Sequence, residues 1–272
     1  MATCYRHPSR ETGVSCSNCG RPICPDCMTP TSVGMRCPEC GRQKTEVRTI
    51  RNMTGEPRVT YGLIAINVIM LLATAQLGAG GTSSNKLFND LALFGPSISV
   101  NHEYYRLVTS GFLHAGLLHI AFNMYLLYYL GTMLEPTLGS LRFALIYFTS
   151  LLAGSFGALL LDPTTVTVGA SGAVFGLMGA AYFEMRARGI DPWQTGIGGL
   201  IVLNLGLSFV FKGISIGGHL GGLVGGILAT LILQQADRRG TRAAGIAGVV
   251  VLASAAAFAG IAVAGNQTGL FG

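Results

Sequence analysis

Ser171 stands in Gly169-Ala170-Ser171-Gly172, and His219 in Gly217-Gly218-His219-Leu220-Gly221-Gly222. Both lie in long apolar stretches, where ionisable and nucleophilic side chains are functional candidates. Small neighbours leave the serine hydroxyl approachable, and a helix start beside it offers unpaired backbone N–H groups that can stabilise an oxyanion. An imidazole within reach can take the hydroxyl proton, which is the chemistry of covalent acyl transfer. His114, His119 and Asn123 form a third group, and the last two, four residues apart, share one helix face. His119, Asn123 and the Ser171 backbone N–H are the expected oxyanion donors. No Asp or Glu lies near His219 in sequence, so a Ser–His dyad is expected rather than a triad. The blander readings are a serine used as a small packing residue and a bonded structural histidine. A metal or proton site built from His114, His119 and His219 is a further alternative, although no carboxylate joins them.

A second chemistry occupies the N-terminus. All seven cysteines lie between Cys4 and Cys40, in pairs reading Cys4-x-x-His7, Cys16-x-x-Cys19, Cys24-x-x-Cys27 and Cys37-x-x-Cys40. An odd number confined to one polar segment argues against a disulfide scaffold. Two residues between ligands let a tight turn present both side chains to one ion, and thiolates with one imidazole suit Zn²⁺. Four pairs supply ligands for two closed structural sites, and metal would provide most of the folding free energy of so small a segment. The competing reading is a redox or iron–sulfur site. The pattern resembles a B-box-like, cross-braced zinc finger. That resemblance implies that the first and third pairs share one ion and the second and fourth the other; spacing alone leaves sequential pairing open. A closed site has no position for water, so the head is expected to bind a cytoplasmic protein partner or to regulate, not to catalyse.

The elements that must position the first group are membrane helices. Half of the 272 residues are hydrophobic and only 11% are charged, too apolar for an ordinary soluble domain. Seven apolar blocks near the ~20 residues needed to cross a bilayer are expected at roughly 60–79, 112–134, 141–161, 169–185, 194–211, 213–234 and 243–265. The net charge of +6 sits in the head and between these blocks, not on one soluble face, so nucleic acid is not an expected partner. Arg142, Arg186, Arg188, Arg238, Arg239 and Arg242 fall on one side of the bilayer with the basic head and linker, which includes Lys44, Arg48 and Arg51. Lys86, Arg106 and Lys212 fall on the other. The N-terminus is therefore expected in the cytoplasm and the C-terminus outside, in a bacterial cell membrane, with no signal peptide. The expected domains are a zinc-binding head at 1–45, a basic linker at 46–58, a six-helix core at 59–235 and an additional transmembrane helix with tail at 236–272.

That topology supplies a check on depth. The fourth and sixth spans both start outside, so Ser171 lies just beneath the outer surface and His219 roughly 9 Å in. Gly172-x-x-x-Gly176-x-x-x-Ala180 and Gly218-x-x-x-Gly222-x-x-x-Gly226 give both helices a small-residue stripe that permits close approach.

The segments YYRLVTSGFLHAGLLHIAFN, GASGAVFG and GGHLGGLVGG, in this order on the second, fourth and sixth spans, resemble the signatures of the rhomboid proteases. The resemblance covers roughly residues 60–235. It implies an all-α polytopic membrane protein with a six-helix rhomboid-like core, here with a seventh C-terminal transmembrane helix. It also implies a serine endopeptidase acting on transmembrane protein substrates in the lipid bilayer. Ser171 would be nucleophile, His219 general base and acid, and His119, Asn123 and the Ser171 backbone the oxyanion site. Glu135 and Arg142, in LEPTLGSLR, resemble the family's structural polar pair, and the fifth span its lateral gate. One departure is Phe175, where some members carry a Tyr beneath the catalytic histidine. Two classes compete with an enzyme: a transporter with sliding glycine-rich helices, and a non-catalytic membrane adaptor.

Overall fold

The computed structural model describes residues 2–42, 55–78, 85–211 and 213–266. Lys44, Arg48, Arg51 and Lys212, used above to orient the chain, lie outside the described residues, as does most of the 46–58 linker. The chain divides into two compact units, Met1–Met53 and Thr54–Gly272.

The first unit is not helical in the main. Strands β1 (Ala2–Thr3) and β2 (Glu11–Thr12) pair antiparallel, as do β3 (Thr29–Thr31) and β4 (Gly34–Arg36), and one short helix, α1 (Pro38–Gly41), follows. The all-α expectation concerns the membrane core; in this unit the few residues are spent on turns that aim cysteines, leaving two-strand ladders between them. Its interior consists of six of the seven cysteines with Ile23.

The second unit is helical. It runs α2 (Arg58–Ala73), α3 (Lys86–Leu91), α4 (Gly95–Asn101), α5 (Arg106–Thr109), α6 (Leu117–Leu138), α7 (Ser140–Leu161), α8 (Ser171–Ala187), α9 (Ile197–Val210), α10 (Ile216–Arg238) and α11 (Arg242–Asn266). Among the described residues α6, α7, α10 and α11 are long and apolar enough to cross a membrane, and α2 and α9 are shorter apolar helices. Large hydrophobic side chains are exposed along α2, α6, α9 and α11, including Phe122, Tyr125, Leu203, Phe209 and Phe258. A surface this apolar faces lipid, not water.

Helices α7, α8 and α10 form the centre, joined by glycine. Gly172 on α8 lies where a Cβ would be 3.2 Å from the Gly218 carbonyl oxygen of α10 and 3.4 Å from the Cα of Gly154 on α7. The two stripes read from sequence mate in register. A Cβ on Gly222 would strike the Gly172 backbone, and one on Gly226 the Gly176 backbone, so α8 and α10 run parallel. A third helix joins them through Gly154 and Gly157 on α7, which lie outside the two stripes. Its glycines sit against the Gly217, Gly218 and Gly221 backbone of α10.

Two polar devices hold the ends. Glu135, 1% exposed near the end of α6, accepts from the backbone N–H of Val59 at 2.9 Å and of Thr60 at 2.8 Å, and from the hydroxyls of Thr60 and Ser140. It thereby satisfies the unpaired donors at the start of α2, where negative charge meets the helix dipole. Glu135 and Arg142 do not form the pair that the resemblance implied. The α2 N–H groups already claim the carboxylate, and the Arg142 guanidinium instead takes Asp237 of α10 through two bonds of 2.6 and 2.7 Å. At the other end, buried Arg106 donates to the carbonyls of Asn89 and Ala92 and to the Glu103 carboxylate, stapling the short helices of the 86–109 segment.

Candidate active site

Ser171 is the first residue of α8, preceded by Ala170 as its N-cap. The loop that delivers it is pinned twice, by a bridge between Leu93 and Thr167 and by the Gly169 N–H donating to the Ser110 carbonyl at 3.0 Å. Gly169 has φ +130°, a backbone that side chains rarely adopt. A Cβ there would also lie 2.8 Å from His119 Nε2 and 3.6 Å from Ser171 Oγ. The missing side chain thus lets His119 and Ser171 face the same few ångströms of space.

His219 is the fourth residue of α10, about 6 Å along the helix. The span begins at Ile216, capped by the Ser215 hydroxyl, so His219 sits slightly shallower than the ~9 Å expected. Its ring stacks on Phe175, one turn below Ser171, with centroids 4.2 Å apart and planes inclined by 22°. Because Phe175 and Ser171 lie on one face of α8, the stack seats the imidazole beside the serine's helix. His219 Nδ1 lies 2.6 Å from the hydroxyl oxygen of Ser208 on α9.

His119 and Asn123 follow on α6, and each is already oriented. The Ala115 backbone N–H donates to His119 Nδ1 at 3.3 Å, which keeps that nitrogen an acceptor and places the ring proton on Nε2. Nε2 is the atom facing Gly169 and Ser171. Asn123, 5% exposed, turns its amide back to the His119 carbonyl at 3.0 Å, leaving a second amide hydrogen for another acceptor. His114 is not in the span as expected. Gly116 at φ +109° starts α6 at Leu117, and a 3₁₀ turn at Ser110–Phe112 precedes it, so His114 sits in the entering loop. It is fully buried with its ring edge to His119, centroids 5.0 Å apart. Among the described residues the three core histidines do not converge as a group of metal ligands.

Ser208 is the residue that sequence reasoning missed. The available signal was Asn204-x-x-x-Ser208, two polar side chains one turn apart in an otherwise apolar helix.

The head holds the other candidate site. Cys4, His7, Cys24 and Cys27 bring one donor atom each within 4.8 Å of one another, and Cys16, Cys19, Cys37 and Cys40 do the same. This is the interleaved grouping of first with third and second with fourth pairs. His7 Nδ1 lies 3.3 Å from Cys24 Sγ, 3.4 Å from Cys27 Sγ and 3.9 Å from Cys4 Sγ, while the Cys19 and Cys37 sulfurs are 3.8 Å apart. Tetrahedral Zn²⁺ at its usual bond lengths has ligand edges of roughly 3.6–3.8 Å, so these donors fit the ion. Charge argues likewise. Burial raises the Cys4 and Cys16 thiols, but surrounding N–H donors outweigh it and lower both to about 6. Burial and the Cys4 and Cys24 sulfurs push Cys27 up to about 11. The Cys40 N–H lowers Cys37, yet burial and the Cys40, Glu39 and Cys16 side chains override it and push it up to about 12. Full ionisation of either cluster needs a cation at its centre.

A family model described as the rhomboid domain matches residues 101–236, half of the chain. Rhomboid protease GluP of Bacillus subtilis (strain 168) is 34% identical over 225 residues, covering 80% of this chain and 42% of GluP. YdcA of the same organism, also named for the rhomboid proteases, is 38% identical over 144 residues, 51% of this chain and 72% of YdcA. Inactive RHOMBOID-like protein 8 of Arabidopsis thaliana is 32% identical over 123 residues, 45% of this chain and 35% of that protein. This chain thus spans less than half the length of GluP. With the motif residues on α6, α8 and α10 and an integral-membrane helical core around them, the chain belongs to the rhomboid family.

Proposed function

We propose that this protein is an intramembrane serine endopeptidase that cleaves transmembrane protein substrates through a dyad of Ser171 and His219. The observation that carries the reading is the stacking of His219 on Phe175, directly beneath Ser171, with His119 Nε2 and Ser171 Oγ meeting at Gly169. The Ser171 oxygen attacks the scissile carbonyl carbon and its proton passes to His219 Nε2. The carbonyl oxygen becomes an oxyanion facing the His119 Nε2–H, the second Asn123 amide hydrogen and the N–H at the start of α8. His219 then protonates the leaving amine as the C–N bond breaks, and an activated water repeats the sequence on the acyl-enzyme, releasing the acid and restoring Ser171. Orienting these groups in the resting fold is what the glycine contacts accomplish.

The proposed organisation is a head at 1–45 on the cytoplasmic side, a linker at 46–58, six spans within 59–235 and a seventh at 236–272. Water reaches Ser171 from the outer face. Two Zn²⁺ ions are proposed for the head, one on Cys4, His7, Cys24 and Cys27 and one on Cys16, Cys19, Cys37 and Cys40. They tie its loops together and leave no open position for catalysis. The head's role is contact with a cytoplasmic protein.

The test is covalent labelling of the purified full chain with a fluorophosphonate probe, alongside cleavage of a panel of single-span substrates with sites mapped by mass spectrometry. Ser171→Ala and His219→Ala are expected to lose both signals with the fold intact. Cleavage that survives Ser171→Ala would sink the mechanism. Wild-type protein that neither labels nor cleaves would place this chain with non-catalytic relatives.

A further inference from the structure

Among the described residues no carboxylate bonds His219, so something else must decide which imidazole nitrogen carries the proton. A neutral imidazole can serve as the base only through the nitrogen that lacks one. The atom against His219 Nδ1 is the hydroxyl oxygen of Ser208, at 2.6 Å. The same oxygen lies 2.8 Å from the backbone carbonyl oxygen of Asn204, one turn earlier on α9. Ser208 is 3% exposed and is one of three buried residues on this helix, the others being Ile197 and Gly198 at its opposite end.

A serine hydroxyl has one proton and two lone pairs. The Asn204 carbonyl can only accept, so a bond there uses the hydroxyl's single proton. What remains toward His219 is a lone pair, and an N–H at Nδ1 completes it. The reverse arrangement, with Ser208 donating to a bare Nδ1, forfeits the Asn204 bond and leaves two acceptor oxygens facing each other at 2.8 Å. It also places the proton on Nε2, where it blocks uptake of a proton from Ser171. The chain from Nδ1–H to Ser208 to Asn204 makes one more bond, and its links polarise one another in a low-dielectric interior.

We propose that Ser208 is a positioning residue for the catalytic base, holding His219 as its Nδ1–H tautomer so that Nε2 stays open toward Ser171. The inference rests on the reading of His219 as base. Ser208 does by a neutral hydroxyl what an aspartate does in a triad: it fixes tautomer and ring orientation. A hydroxyl brings no charge into the membrane interior, where a carboxylate would be costly. Because Ser208 belongs to α9, while nucleophile and base belong to α8 and α10, the base is held correctly only while α9 is seated.

The test uses the full chain in detergent and the rate of Ser171 labelling by a fluorophosphonate. Loss of one buried hydrogen bond to the base converts to a fall of about ten- to a hundredfold in the maximal labelling rate of Ser208→Ala. The probe concentration at half-maximal rate is expected to stay unchanged. Ser208→Thr, which keeps the hydroxyl, is expected to restore the rate to within about threefold, a pattern that loss of packing alone does not give. Independently of any variant, ¹⁵N spectra of histidine-labelled wild-type protein, assigned by subtraction of His219→Ala, are expected to show His219 protonated at Nδ1. Ser208→Ala labelling at the wild-type rate while His219→Ala is inert overturns the role of Ser208 alone. A wild-type His219 protonated at Nε2 does the same. Labelling that persists undiminished in His219→Ala brings down the dyad itself.

Discussion

The head and the membrane core both gather histidines and nucleophilic side chains, and they do so by opposite means. In the head each ligand arrives with a partner three positions away, and two such pairs complete a cluster. In the core only His119 and Asn123 are near neighbours in sequence; His219 of α10 stacks on Phe175 beneath Ser171 of α8, and Ser208 reaches it from α9. The head replaces a hydrophobic core with Cys and His clusters that could hold metal ions. The core replaces side chains with backbone, since its glycines remove the volume that would keep the helices apart. Local spacing is sufficient to gather donors that could hold a metal, whereas the proposed pair across helices requires that whole elements approach.

Metal removal breaks the comparison most sharply. Structural Zn²⁺ in small domains contributes about 10–16 kcal/mol of apparent free energy, more than a segment of this size can recover by packing. A strong chelator, or Cys24→Ser, is therefore expected to unfold residues 2–42 while the core keeps its helical signal and its Ser171 labelling. Mass spectrometry of the native chain should count two zinc ions before treatment. Binding also releases protons, because Cys27 and Cys37 stay protonated at neutral pH without metal. Affinity therefore rises with pH and is lost on acidification. A head that stays folded without metal would remove the contrast.

The core has its counterpart at Gly222. Any Cβ there meets the Gly172 backbone, which cannot move aside as a side chain can. Gly222→Leu is expected to separate α8 from α10, abolish labelling and destabilise the fold by about 1–3 kcal/mol or more. Gly206→Ala on α9 is the matched control, because a Cβ there has open space on all sides. It should leave labelling and the unfolding temperature in detergent unchanged. Equal effects from the two substitutions would show that glycine count, not backbone contact, matters.

Glu135 tests a third way of joining elements, a single side chain serving another helix. Glu135→Gln keeps one acceptor oxygen but turns an amide toward donors from Val59, Thr60 and Ser140. Leaving buried donors unpaired costs about 1–3 kcal/mol, so a clear drop in unfolding temperature is expected, with labelling of the folded fraction retained.

What the sequence revealed follows the same division. The ligand pairs of the head were legible because a Cys-x-x-Cys spacing is itself the geometry, and the small-residue stripes of α8 and α10 were legible because a helix repeats. Gly154 and Gly157 escaped notice, since nothing in a third helix announces which neighbour it will meet. Ser208 escaped because its meaning depends on the packing of α9 against α10. The apolar run that begins at Phe112 reads as the start of the second span, but Gly116 at φ +109° holds the start of α6 back to Leu117. The pairing of Glu135 with Arg142 comes from the family resemblance, and no local pattern in the sequence shows that the carboxylate instead serves Val59, Thr60 and Ser140 and the guanidinium Asp237, 95 residues away.

Arg142 and Asp237 supply the smallest effect, because their bond is strong in geometry and weak in context. The two N–H···O contacts are short and parallel, the arrangement that favours arginine with carboxylate. Yet the Arg142 side chain is 19% exposed and the Asp237 side chain 39%, and water screens such a pair. Arg142→Ala is accordingly expected to lower stability by about 0–1 kcal/mol and to leave Ser171 labelling intact. Arg142→Lys should preserve most of even that, since a point charge suffices where screening has already reduced the gain. A loss as large as that of Glu135→Gln would mean that the C-terminal end of α10 is held by this pair, and the distinction between a buried carboxylate that caps a helix and an exposed one that meets a cation would fall.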